Sequence, residues 1–181
     1  IKGVNLSSSI AGNYAADYAL DYDTYLRWFK LIQEMGSNTI RTYTIYDDTF
    51  YNAFYDYNKN NENPLYLLQG IQVSDYANNS SIDVYGKGFY DELKQDSIDV
   101  VDVIHGRKII SYNNMKGSGK YTKDISPWLL GYIVGNEWNS GTIKYTNQGD
   151  YTTEYTGKYF KTTSDATVFE AMLAKMMDEM V

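Results

Sequence analysis

Apolar residues at Tyr25, Trp28, Phe29, Ile32 and Met35 recur every three or four positions, which predicts an amphipathic helix with Asp23 or Thr24 as its cap and Gly36 as its stop. The same spacing returns at Phe50, Tyr51, Phe54 and Tyr55, behind Asp47 and Asp48. It returns again at Phe89, Leu93, Val100, Val101 and Ile104, and at Val168, Phe169, Met172, Leu173, Met176, Met177 and Met180. Between these helices lie β-branched and aromatic runs. Ile1 to Asn5, Asn38 to Tyr46, Leu65 to Val73 and Leu129 to Val134 read as strands. The last run is so uniformly apolar that it predicts a strand buried on both faces.

Four strands alternating with four helices predict a parallel α/β sheet with right-handed crossovers. No linker divides residues 1–181, so a single domain is expected. A closed (β/α)8 barrel typically takes about 250 residues. Four βα units therefore correspond either to a small open α/β domain or to the first half of a barrel, truncated after its fourth helix.

In a parallel sheet the residues just past a strand's carboxyl end face the ligand. Asn136-Glu137-Trp138 holds that place after the fourth strand, and Glu137 reads either as a catalytic carboxylate or as a polar turn residue. Arg41 interrupts a core-like strand, which a guanidinium does either by meeting a carboxylate or by reaching the rim. Asp47 and Asp48 are read as helix caps in preference to catalytic groups, Gln72 and Asp75 as loop residues near the third strand's end in preference to ligand contacts, and His105 as a helix-end residue in preference to a catalytic one. Gly117-Ser118-Gly119-Lys120, in the Gly/Asn/Lys-rich connection from Arg107 to Lys123, lacks the spacing of a phosphate-binding loop. The segment from Ser140 to Thr163 reads as a tyrosine- and threonine-rich loop.

Composition narrows the partners. The net charge is −7 and the 16 basic residues are scattered, so the electrostatic footprint for nucleic acid is missing. No run has the length of a membrane span, and no cysteine is present for disulfides or thiolate metal sites. No cofactor or metal motif occurs, and no sorting signal assigns a location. The 20 tyrosines and three tryptophans supply rings with polar edges, which suit sugar faces as well as half-buried walls.

Ile1-Lys2-Gly3-Val4-Asn5, Gly36-Ser37-Asn38-Thr39-Ile40-Arg41-Thr42-Tyr43, Leu65 to Val73, and Leu130-Gly131-Tyr132-Ile133-Val134-Gly135-Asn136-Glu137-Trp138 occur in one order. Together they resemble the first half of the catalytic (β/α)8 barrel of clan A glycoside hydrolases, most nearly family 2. The resemblance implies retaining hydrolysis of O-glycosyl bonds, with Glu137 as general acid/base and Asn136 on the sugar 2-hydroxyl. Arg41 would hold the nucleophilic carboxylate ionised, and Tyr43 and Trp138 would be further substrate contacts. The nucleophile, a Glu on a seventh strand, has no counterpart here. The resemblance therefore implies a chain inactive by itself, to be completed by a C-terminal half-barrel or a second copy, with strands one and four as exposed edges. A carbohydrate-binding or scaffolding barrel without catalysis is the alternative.

Overall fold

Strand β1 (Gly3–Asn5) pairs in parallel with β2 (Thr39–Thr42), and β2 in parallel with β3 (Tyr66–Gln72). These contacts come from a computed structural model that describes residues 1–74, 78–79, 81–111 and 116–181. Asp75 lies outside the described residues. Further along the chain, β4 (Lys108–Ile110) and β5 (Gly119–Tyr121) form a separate antiparallel pair, and β6 (Leu129–Asn136) joins the main sheet beside β3. The result is a mixed α/β fold whose parallel four-stranded sheet, in the order β1-β2-β3-β6, alternates with helices. Its edges are β1 and β6.

The described contacts divide into two compact units, residues 1–70 with 100–133 and residues 71–99 with 134–181. In the first unit, helix α1 (Tyr22–Glu34) packs on α2 (Asp48–Asn58) through rings. Phe50 meets Tyr25 at 5.4 Å and Phe29 at 5.9 Å between centroids, and all three are fully buried. Each such pair adds about 0.5–1.5 kcal/mol beyond area burial. Helix α1 starts a turn earlier than its apolar spacing predicts. Its cap is Asp21, which accepts the Thr24 N–H at 2.7 Å.

The first unit also holds an element that the sequence pattern did not predict, the β4–β5 pair inside the Arg107–Lys123 connection. Its glycines make a seam against the start of α2. A Cβ on Gly117 would collide with the Tyr46 and Asp47 backbone, and one on Gly119 with the Asp48 carboxylate. Through that approach the Gly117 N–H donates to the Ile45 carbonyl at 2.8 Å and the Lys120 N–H to Asp48 at 2.9 Å. The faint phosphate-loop pattern is thus packing chemistry.

Two expectations change around β6. Leu130 is 41% exposed, and none of Leu129 to Val134 is fully buried, so the strand is not buried on both faces. An edge strand has a neighbour on one side only, which leaves part of each residue open. Beyond it, helix α4 (Ser140–Gln148) occupies ground read as loop. Its Thr, Gly and Asn residues have poor helix propensity. Asn139 offsets this by accepting the Gly141 N–H at 2.7 Å, while Thr142 and Thr146 are buried with their hydroxyls bonded.

Helix α3 (Phe89–Ile104) contributes Phe89 and Leu93 to the second unit's core and Val103 and Ile104 to the first's. Helix α5 (Val168–Glu179) begins at a capping box between Thr167 and Glu170, and buries Val168, Phe169, Met172 and Met176 as the spacing predicts, while Leu173, Met177 and Met180, expected on the same face, are only half-buried and Ala171 and Ala174 are buried instead.

Candidate functional site

Each candidate residue sits at or near the carboxyl end of a strand. In the first unit Asn5 closes β1 and Arg41 lies one residue from the end of β2, with Tyr43 just beyond. The three converge: the Arg41 guanidinium lies 4.6 Å from the Tyr43 ring centroid, and the Asn5 amide donates to the Tyr43 hydroxyl at 3.1 Å. A cation over a ring gains about 0.5–2 kcal/mol, and here it also fixes the side chain's direction.

Next to this group the chain turns sharply, because β2 ends at Thr42 rather than running on to Tyr46. The Tyr46 hydroxyl bonds the Leu6 carbonyl, and the Tyr46 carbonyl in turn accepts the Tyr121 hydroxyl at 2.7 Å. This delivers Asp47 into a tyrosine-lined setting. Asp47 has the extended backbone of a cap but makes no side-chain capping bond, and its Oδ1 is buried without a hydrogen-bond partner among the described residues. Burial pushes its carboxyl up to about 6, and the neighbouring Asp48 charge adds to the rise. Burial and the Asp47 charge likewise push the Tyr18 hydroxyl up to about 12. Asp47 therefore holds its proton to a higher pH than an ordinary aspartate does, a property that a capping role alone does not require. Its only sequence signal is an acidic residue directly following an aromatic strand end.

In the second unit Asn136, 5% exposed, ends β6, and the exposed Glu137 follows with φ +54°. A left-handed backbone costs a non-glycine residue about 1–2 kcal/mol, so its surroundings must enforce it. Two contacts do so. The Trp138 indole N–H donates back to the Val134 carbonyl at 3.1 Å, over Gly135. The buried Asn78 then holds both sides of the turn, donating to the Glu137 carbonyl at 2.9 Å and accepting the Asn139 N–H at 2.9 Å. Asn78, in the segment read as a loop from Asn78 to Lys87, is a positioning residue that no sequence pattern marks. The Trp138 ring itself packs edge-on to Phe169 at 4.9 Å and beside Phe89 at 5.9 Å.

The structure thus gathers Asn5, Arg41 and Tyr43 in one unit and Asn136, Glu137 and Trp138 around Asn78 in the other. Among the described residues no three His, Cys, Asp or Glu side chains form a group able to hold a metal ion, and no helix is long and apolar enough to cross a membrane. His105 directly follows α3, its Nδ1 3.8 Å from Asp124. Comparison with protein-family models, with curated proteins and with solved structures finds no match to this chain.

Proposed function

We propose that this chain carries the acid/base half of a retaining glycoside hydrolase site built on a (β/α)8 barrel. The supporting observation is Glu137, an exposed carboxylate held in an enforced left-handed backbone at the carboxyl end of a strand in the main sheet. A turn that stabilises itself at the cost of one residue's conformation is a mark of a positioned functional group.

In this reading Glu137 protonates the departing glycosidic oxygen and later deprotonates the incoming water, while Asn136 binds the sugar hydroxyl beside the reacting carbon. Arg41, oriented by Tyr43 and Asn5, keeps the nucleophilic carboxylate ionised. That carboxylate must stand about 5–5.5 Å from Glu137. A completing half-barrel, from a longer chain or a second copy, would supply it and cover the edges at β1 and β6.

The test is hydrolysis of oligosaccharides and of 4-nitrophenyl glycosides by this chain and by any longer polypeptide containing it, with Glu137 and with Glu137→Gln. Loss of an acid/base should lower turnover about 10²–10⁴-fold. The loss should be smaller for 4-nitrophenyl glycosides, whose leaving group needs little protonation. Turnover indifferent to Glu137→Gln sinks the catalytic reading; sugar binding without turnover selects a binding-only barrel.

A further inference from the structure

The second unit contains a cavity of ≈ 350 Å³ lined by Tyr85, Tyr151, Thr152, Tyr155, Ala171 and Lys175, none of them a residue of the β6 turn. Its size lies at the lower end of the range for small-ligand sites. Tyr85 and Tyr151 stand 4.5 Å apart between centroids at an interplanar angle of 44°, so they make an angled corner rather than a closed stack. Tyr90 supports the corner from Tyr85's side at 5.4 Å, and the Lys175 ammonium lies 4.9 Å from the Tyr90 ring centroid.

Two of the lining hydroxyls are already engaged. The Tyr151 hydroxyl donates to Asp83 at 3.3 Å and the Tyr155 hydroxyl to Asp178 at 2.9 Å. What Tyr151 and Tyr155 offer a ligand is therefore mainly ring surface, and among the described residues Lys175 is the one charged residue of the lining. A wholly apolar ligand would have to strip water from that ammonium, which is costly. An anionic ligand would enter beside Asp83 and Asp178, in a chain of net charge −7. A ligand with an apolar face and neutral hydroxyl edges meets neither objection.

We infer that this cavity binds a neutral pyranose unit of an oligosaccharide, its C–H face on the Tyr85–Tyr151 corner and its hydroxyls accepting from Lys175. The site rests on the carbohydrate reading above but is separate from Glu137, and it would hold a glycan chain while another part of that chain is processed.

Titration of the 181-residue chain with cellohexaose, laminarihexaose, xylohexaose and β-1,4-mannohexaose, followed by amide NMR, tests it, with α-1,4-galacturonate hexamer as the anionic probe. At least one neutral hexaose should bind with a dissociation constant of about 1 mM or lower. Tyr151→Ala, at a residue 40% exposed, and Lys175→Met should each weaken binding about tenfold with the spectrum still folded. Glu137→Gln should leave it within about twofold. Binding of none of the neutral hexaoses, preference for the galacturonate, indifference to both cavity variants, or loss of binding in Glu137→Gln overturns the inference. Turnover unaffected by Glu137→Gln would refute the catalytic reading and leave this site standing, so the two failures are distinguishable.

Discussion

The Trp138 indole N–H donates to the Val134 carbonyl at 3.1 Å, four residues back along the chain, and folds the indole over Gly135. That closure admits only glycine beneath it. Gly135 has φ +74°, and a Cβ there would collide with the Trp138 indole. Gly135→Ala is expected to cost at least about 2 kcal/mol, because it adds both a clash and a left-handed alanine. Urea denaturation followed by tryptophan fluorescence measures it. Loss of the indole's native emission before global unfolding would show that the turn fails first.

Asn78 is expected to matter more to stability than Glu137 does. Asn78→Ala leaves the Glu137 carbonyl and the Asn139 N–H without their partner, an expected loss of about 2–3 kcal/mol. Asn78→Asp keeps the acceptor for Asn139 but cannot donate to Glu137, so it should fall between. Glu137→Gln, at an exposed side chain, should stay within about 0.5 kcal/mol of the parent. Chemical denaturation of the three variants checks the order.

Asp47 gives a pH dependence of unusual sign. Its folded value of about 6 lies above the ordinary 3.8, so the folded chain binds this proton more tightly than the unfolded chain does. The stabilisation is fully present below the unfolded value and is lost as pH rises through the folded one. Asp47→Asn should therefore raise stability at pH 7 relative to the parent, by about 1–2 kcal/mol after allowance for partial exposure, and leave it nearly unchanged at pH 3.5. Unfolding midpoints of both proteins at the two pH values decide it. Equal shifts at both would show that the carboxyl does not titrate in this range.

Asp178 works in the opposite direction. Burial raises its carboxyl, but the N–H groups of Tyr159, Lys158 and Phe160 and the Tyr155 hydroxyl outweigh that and hold it below the ordinary value. Its contribution is present above the unfolded value and lost as pH falls through the lowered one. Asp178→Asn should speed hydrogen exchange at the Lys158, Tyr159 and Phe160 amides while leaving the core of α5 protected. Uniform acceleration through Met172 and Met176 would instead mean that the whole helix is destabilised.

The sequence made the main sheet legible because its strands carry β-branched and aromatic runs and the long helices carry strong periodic patterns, as at Tyr25, Phe29 and Ile32. It concealed the β4–β5 pair, whose three-residue strands are too short to show a period and whose glycines serve a close approach to Asp48. Helix α4 was hidden by residues of weak propensity, since Thr142 and Thr146 owe their place to burial and bonded hydroxyls. Glu137 could be placed at a strand end from sequence, but its left-handed backbone could not. That conformation comes from Asn78, 59 positions earlier, and a contact at such separation leaves no local trace. Asp47 resembled any helix-starting aspartate until its lack of a capping bond was visible.

The Asp178 carboxylate holds the 158–160 segment through peptide N–H groups, which every residue except proline supplies. The path of this loop is thus largely independent of which side chains it displays. Lys158 and Tyr159, the latter 54% exposed, can be exchanged without redrawing the backbone that supports Tyr155. Selection has there a surface whose chemistry can diverge between descendants while its scaffold is inherited unchanged.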